Sequence, residues 1–402
     1  MAETQSKLKR DVGLVLFVLY GVGNIIGAGI YVLVGQVAGE AGVLAPFAFV
    51  VAALIAGISG LSYGELGARY PLSAGEAVYV YKAFNLRSLS LLVGLLIAAA
   101  GLVSAATMAR GFVGYFNVFF DIPDWPVILT LIVVLTAVAI RGIADSARLA
   151  AVLTLIEAGG LLWIVFAAAP TTAQLSELQT ADFVPLSPDA WRGVFGGAFL
   201  AFFAFIGFED MVNIAEEVKQ PEKTIPRGII LSFLISTALY LLVAFVCITV
   251  LPASTLALSD APLADVYTSA TGRSAAAISV IGLMAVVNGA LTQIIMASRI
   301  FYGMSRQGWL PQFLAEVSPS THTPVRATLI ASVLVLLLAV SLPLVKLAAT
   351  TSAMVLGVFV MINVSLLRIK QLDPAPAGVR ALPLAVPLLG AVASALILLV
   401  SI

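Results

Sequence analysis

Eleven long apolar stretches run through the chain, at residues 11–39, 42–68, 88–116, 125–140, 149–168, 192–218, 228–251, 274–303, 327–345, 347–367 and 381–401. A helix crossing a bilayer core of about 30 Å needs about 20 apolar residues at 1.5 Å each. Lipid offers the backbone no hydrogen bonds, so only helices and closed barrels cross it. Ten-residue segments of alternating polarity, the mark of a membrane barrel, are absent. The expected fold class is therefore all-α and integral to a membrane, one membrane domain over 1–402. Composition agrees: 61% of the 402 residues are hydrophobic and 10% charged, against about 25% charged in soluble domains. The polar start MAETQSKLKRD leads straight into the first stretch with no small-residue cleavage site. That predicts a permanent helix rather than a removed leader.

Other classes are poorly served. Lys plus Arg and Asp plus Glu number 21 each, so no net charge points to nucleic acid. One cysteine, Cys247, and one histidine, His322, exclude a disulfide within the chain and a His/Cys metal centre. A membrane enzyme would need a nucleophile–base or metal constellation, and a channel a continuous polar path or charged ring. Neither is visible, and no cofactor or metal is expected.

Basic residues set the expected threading, because cytoplasmic loops carry the excess of Lys and Arg. Arg69, Lys82 and Arg87 follow the second stretch, and Arg141 and Arg148 flank the loop after the fourth. Lys219, Lys223 and Arg227 follow the sixth, Arg306 and Arg326 the eighth, and Arg368, Lys370 and Arg380 the tenth. The alternate loops are nearly bare; 171–190 carries Glu177, Asp182 and Asp189 and no basic residue. The pattern predicts a protein of the plasma membrane with a cytoplasmic N-terminus and, for an odd number of spans, an extracellular C-terminus.

Two spans are abnormal in corresponding places. The first holds glycines at 21, 23, 27 and 29, and the sixth contains Ala204-Phe205-Ile206-Gly207-Phe208-Glu209-Asp210. Gly27 and Gly207 are 180 residues apart with five spans from one break to the next, which divides the chain into repeats at 11–168 and 192–367. An odd number of spans per repeat inverts the second relative to the first, the design of secondary transporters. Each helical glycine costs about 1 kcal/mol relative to alanine. A break in lipid survives only against protein, water or a ligand. N–H groups after Ile26, at the positive end of a half-helix, suit a carboxylate, and carbonyls before Ile206 suit an ammonium. A zwitterion matches both ends. The competing reading of Gly23 and Gly27 is close helix packing through GxxxG. The spacing GxGxxxG, with no strand around it, is not a dinucleotide fingerprint.

At these residues the sequence resembles the amino acid–polyamine–organocation (APC) superfamily, and it looks closest to bacterial and archaeal relatives of the cationic amino acid transporters. The likeness rests on GVGNIIGAGIYVL at 21–33, AFFAFIGFEDMVNIAEEVKQPEKTIPRGI at 201–229 and SRIFYGMSRQGWLPQFLAEVSPSTHTPVRA at 298–327. The resemblance implies a five-plus-five inverted-repeat, LeuT-like bundle with discontinuous helices one and six. It implies carboxylate contacts from the backbone of Ile26, Gly27, Ala28 and Gly29, and amino-group contacts from carbonyls near Ile25, Phe203, Ala204 and Ile206. Phe203 matches the occluding gate, and Phe205 lies within the same broken segment. An amino acid is the implied substrate, coupled to protons or exchanged; polyamines or other organic amines, and sodium coupling, are the alternatives. The chain departs from the family in stopping after eleven spans where most members have twelve or more. Several proton-coupled or sodium-independent relatives carry a lysine in span five, where this sequence has Glu157.

Glu157 lies about 12 Å into its span by helix rise, near mid-membrane. A charged carboxylate is costly there, so it reads as a proton carrier, a sodium ligand or a hydrogen-bonded structural group. Glu209 follows the second break and reads as a cap on the segment beyond it or as a coupling or selectivity residue. Asn288 and Gln293 read as interhelical hydrogen bonders. Ala28, Phe203 and Ile206 suggest an apolar pocket for a small or medium neutral amino acid, and Glu209 would serve a cationic one.

Overall fold

The computed structural model describes residues 10–72, 75–141, 147–169, 187–306, 308–374, 376 and 378–401, apart from the side chains of residues 28, 147–150 and 401. The acidic connection with Glu177 and Asp182, and the side chain of Arg148, lie outside the described residues. The principal helices are α1 (Leu14–Ala41), α2 (Ala45–Arg69), α3 (Gly75–Phe84), α4 (Arg87–Asn117), α5 (Asp124–Arg141), α6 (Ala147–Ala167) and α7 (Pro188–Phe205). They continue with α8 (Pro221–Val250), α9 (Ala253–Ala257), α10 (Pro262–Thr271), α11 (Ala276–Arg306), α12 (Val325–Ser341), α13 (Leu344–Leu372) and α14 (Ala385–Ser401). Proline in the first turn starts α7, α8 and α10, where its missing N–H has no helical partner to lose. Ser187 caps α7 by accepting from Ala190 N at 3.1 Å.

Seven helical stretches among the described residues are long and apolar enough to cross a membrane, with Gly29–Arg69 counted as one. Shorter apolar helices accompany them at Leu14–Gly27, Ala151–Ala167, Val325–Ser341 and Ala385–Val400. Exposed Leu and Val line one side of α5, α8, α12 and α14, for example Val133, Leu234, Val333 and Leu399. In water such faces would associate, whereas lipid solvates them. The short helices α3, α9 and α10 lie in connections that the apolar pattern leaves as loops.

The helices pack as two groups. One contains α1, α2, α7 and α8; the other α4, α5, α11 and α12; α6 bridges them through α1 and α11, and α13 through α4 and α7. The helix α14 lies on α13 and α2, fastened by polar residues that the apolar face needs partners for. Asn363 of α13 accepts from Ser62 at 2.7 Å and donates to Ser59 at 3.0 Å. Glu65, 2% exposed, pairs with Arg69 and with Lys370, each at 2.7 Å. Its other oxygen accepts from Leu382 N at 2.8 Å, and Lys370 donates to Leu382 O at 2.7 Å. Arg110 of α4 does not reach outward as a helix-end arginine would. It donates to the carbonyls of Ala339 and Val340 at the end of α12 and pairs with Asp124 at 3.0 Å.

Candidate functional site

Both expected breaks are present, and they cross each other. In α1 the backbone leaves helical geometry at Gly27 (φ −3, ψ −151). The helix α7 ends at Phe205; Ile206 is extended (φ −64, ψ 138), Gly207 has φ +124, and a 3-10 turn then runs Glu209–Glu217. The sixth apolar stretch is thus not one α-helix, and its segment beyond the break is wound about three residues per turn. Only glycine takes Gly207's conformation without strain, and a Cβ there would overlap the Asn24 carbonyl of the first break. A Cβ on Gly29 would overlap Ala204, and one on Gly23 would overlap the Thr154 hydroxyl of α6. Three glycines therefore permit close approach, while a Cβ on Gly27 would meet nothing within 4 Å.

The open space beside Gly27 belongs to a cavity between the two breaks. Its wall takes Asn24, Ile25, Gly27 and Gly29 from the first break and Phe203, Ile206 and Asp210 from the second. Ser104 and Met108 of α4 face it, as do Asn288, Thr292 and Gln293 of α11. A second, smaller chamber shares Ser104, Ile206, Asp210 and Gln293 with the first.

The expected site residues divide across this geometry. Ile25, Gly27, Gly29, Phe203 and Ile206 line the cavity. Ile26, Ala204 and Phe205 are buried in the core instead. The Phe205 ring lies 5.1 Å from that of Tyr240 and 5.2 Å from that of Phe233, away from the cavity wall. The side chain of Ala28 lies outside the described residues. Phe203 packs with Leu33 of α1 and Ala348 of α13 in a small apolar cluster of its own. Glu209 accepts from Gly207 N at 2.8 Å, a cap on the break, and lines the second chamber. Glu157 is fully buried and lines neither chamber, but Asn288 Nδ2, on the cavity wall, donates to its Oε1 at 3.2 Å. Glu157 Oε2 has no hydrogen-bond partner among the described residues. Its backbone carbonyl accepts from Tyr31 Oη at 2.6 Å.

Tyr240 of α8 carries a role the sequence did not reveal. Its hydroxyl lies 2.5 Å from the Ile25 carbonyl and 2.8 Å from the Ala204 carbonyl, one from each broken helix. A tyrosine in an apolar span reads as packing until its partners are known. The polar positions Ser104, Asn288, Thr292 and Gln293 had a fainter signal, since polar side chains in apolar spans need partners. Asn288 and Gln293 do bond between helices, to Glu157 and Asp210, and they face the cavity as well.

Membrane-length helices and two crossing breaks with a cavity of mixed polar and apolar lining between them define a multi-pass membrane protein. The chain belongs to the amino acid permease family, whose pattern matches residues 13–402. It is 30% identical over 396 residues to the branched-chain amino acid permease BcaP of Bacillus subtilis, covering 92% of this chain and 83% of that one. It is also 30% identical over 393 residues to the vacuolar cationic amino acid transporter 4 of Arabidopsis thaliana, covering 92% of this chain and 64% of the plant protein. The methylthioribose transporter of Bacillus subtilis is 26% identical over 398 residues, 93% of this chain and 84% of that one. The protein is a permease and not an enzyme.

Proposed function

We propose that the protein is a secondary active amino acid transporter that holds a zwitterion between its two broken helices and works by alternating access. The observation that carries this reading is the cavity at the crossing of the breaks, open at Gly27 and walled by both. The turn beginning at Gly27 offers N–H groups to the carboxylate, with Ala28 and Gly29 following. Asn24 lines the same cavity, and its buried Nδ2 has no hydrogen-bond acceptor among the described residues; a carboxylate supplies one. The carbonyls of Ile25, Phe203 and Ile206, residues of the cavity wall, face the ammonium, whereas Ala204, also expected there, stands behind the wall. Tyr240 already touches the Ile25 carbonyl, which keeps a second lone pair.

The division of helices into an α1–α2–α7–α8 group and an α4–α5–α11–α12 group supports rocking of one group against the other. On this reading the chain has eleven spans in two inverted repeats, 11–168 and 192–367, with 381–401 outside them. The N-terminus is cytoplasmic and the membrane is the plasma membrane. Phe203, with Leu33 and Ala348, then closes the cavity from the outer side. Glu157 is the proton carrier, linked to the cavity by the Asn288 amide.

Uptake into proteoliposomes tests the reading, with a panel of labelled L-amino acids and their decarboxylated amines, at several pH values, with and without sodium. Accumulation of an amino acid but not of its amine, driven by a pH gradient, is the expected result. Uptake of the amine alone overturns zwitterion binding, and a strict sodium requirement overturns proton coupling through Glu157.

A further inference from the structure

We propose that Asp210 determines which side chain the protein accepts, and that the second chamber is the side-chain subsite for amino acids ending in a cationic nitrogen. The inference rests on the zwitterion site proposed above and adds the part of the substrate that the site leaves unassigned.

The two chambers meet at Asp210. It lines both, together with Ser104, Ile206 and Gln293, so these four residues form the boundary between a molecule anchored at Gly27 and the second chamber. Asp210 is 5% exposed, yet its described side-chain hydrogen bond is a single one, from Gln293 Nε2 at 3.5 Å, the outer limit for such a bond. Gln293 is itself 7% exposed. Glu209, the acidic neighbour that the sequence favours, uses Oε2 to accept from Gly207 N at 2.8 Å and holds the break in shape. Asp210 serves no such backbone group.

Charge gives the chemical class. Among the described residues no Lys, Arg or His lines either chamber, while Asp210 lines both and Glu209 the second. A buried carboxylate without a counter-charge is strongly unfavourable, and a cationic side chain supplies what the wall lacks. The rest of the second chamber is made of Ile97, Ala100, Gly101, Met296, Thr351 and Val355, mostly apolar surface suited to a methylene stem with a charged head. Asp210 lies three residues beyond Gly207, where its N–H donates to the Gly207 carbonyl at 3.3 Å. The apolar pocket suggested by Phe203 and Ile206 alone is therefore one wall of a chamber whose far end is acidic.

The test uses the full-length protein in proteoliposomes. Wild-type uptake of labelled L-lysine, L-arginine, L-glutamine, L-leucine and L-alanine is measured, each with the others as competitors. Lysine or arginine should be taken up and should compete at least tenfold more strongly than leucine. Asp210→Asn should lower the lysine-to-leucine uptake ratio at least tenfold, and Asp210→Glu should restore part of it. Wild-type preference for leucine or alanine over lysine, with lysine failing to compete, overturns the assignment without any variant and leaves the zwitterion site standing. An unchanged ratio in a folded Asp210→Asn variant also overturns it. Uptake of no amino acid at all overturns the zwitterion site and this subsite together.

Discussion

Two glycines two residues apart should respond oppositely to the same substitution. A Cβ on Gly29 would overlap the Ala204 backbone where α1 crosses α7, whereas a Cβ on Gly27 finds no atom within 4 Å and points into open cavity. Valine at 29 forces two helices apart, and overpacking of a tight contact costs about 1–3 kcal/mol or more. Valine at 27 adds three carbons to space the substrate must occupy. One carbon of misfit in a fitted pocket is worth about 1–3 kcal/mol, or roughly 10–200-fold, so Gly27→Val should weaken binding by at least about 100-fold. The fold should persist, because the protein around Gly27 has nothing to displace. Scintillation proximity binding of the transported amino acid, beside thermal stability followed by size-exclusion chromatography, separates the outcomes. Gly27→Val should keep a thermal midpoint near wild type and lose binding, while Gly29→Val should lose both. Wild-type affinity in Gly27→Val, or a midpoint that falls as far as that of Gly29→Val, would refute the placement of substrate at this break.

Three further perturbations concern buried polar groups. Tyr240→Phe removes the hydroxyl that touches the Ile25 and Ala204 carbonyls. Leaving buried carbonyls less satisfied costs about 1–3 kcal/mol, so thermal stability should fall and substrate affinity change with it; an unaltered midpoint and affinity would show that the hydroxyl joins nothing of consequence. Glu157→Gln fixes the neutral form of a carboxyl whose side-chain partner among the described residues is Asn288. Counterflow of amino acid should survive in that variant and pH-driven accumulation should not, and accumulation at the wild-type level would remove Glu157 from coupling. Outside the spans, burial in α3 pushes Glu76 from its ordinary 4.5 up to about 7, against hydrogen bonds from backbone and from Tyr63 that favour its charged form. Below about pH 4.5 folded and unfolded states both hold this proton; between there and about 7 only the folded state does. Its effect is therefore a loss of stability as pH rises through that window, by roughly 3 kcal/mol. The thermal midpoint should fall from about pH 5 to about pH 8, and Glu76→Gln should flatten the profile; an equal slope in the variant would assign the pH dependence elsewhere.

Much of the site was legible because the bilayer enforces simple rules on a chain. Glycine density and the loss of apolar pattern marked the breaks at Gly27 and Ile206–Gly207, since unwound backbone in lipid requires a reason. Residues whose function depends on a partner from a distant helix were not legible. Phe205 and Ala204 sit in the marked segment but face the core, while Phe203 and Ile206 reach the cavity. Linear position cannot separate them, because the helix ends between them and the turn of about 100° per residue no longer predicts direction. Glu209 and Asp210 are adjacent acids with different surroundings: one caps the break, and the other lines both chambers.

By itself the sequence determined the solvent. Apolar stretches of spanning length leave a helical membrane protein as the outcome, since a chain with 10% charged residues has no other way to hide its surface and satisfy its backbone. It also fixed where the helices are weak, because that depends on local glycine content. Tertiary structure alone decided that the two weak points cross, that Gly21, Gly23 and Gly29 of α1 serve close contact or helix approach while Gly27 faces open space, and that Tyr240 joins both breaks. Contacts between residues such as Ile25 and Tyr240, 215 positions apart, have no signature in either local sequence. They exist only once packing has brought α1, α7 and α8 together.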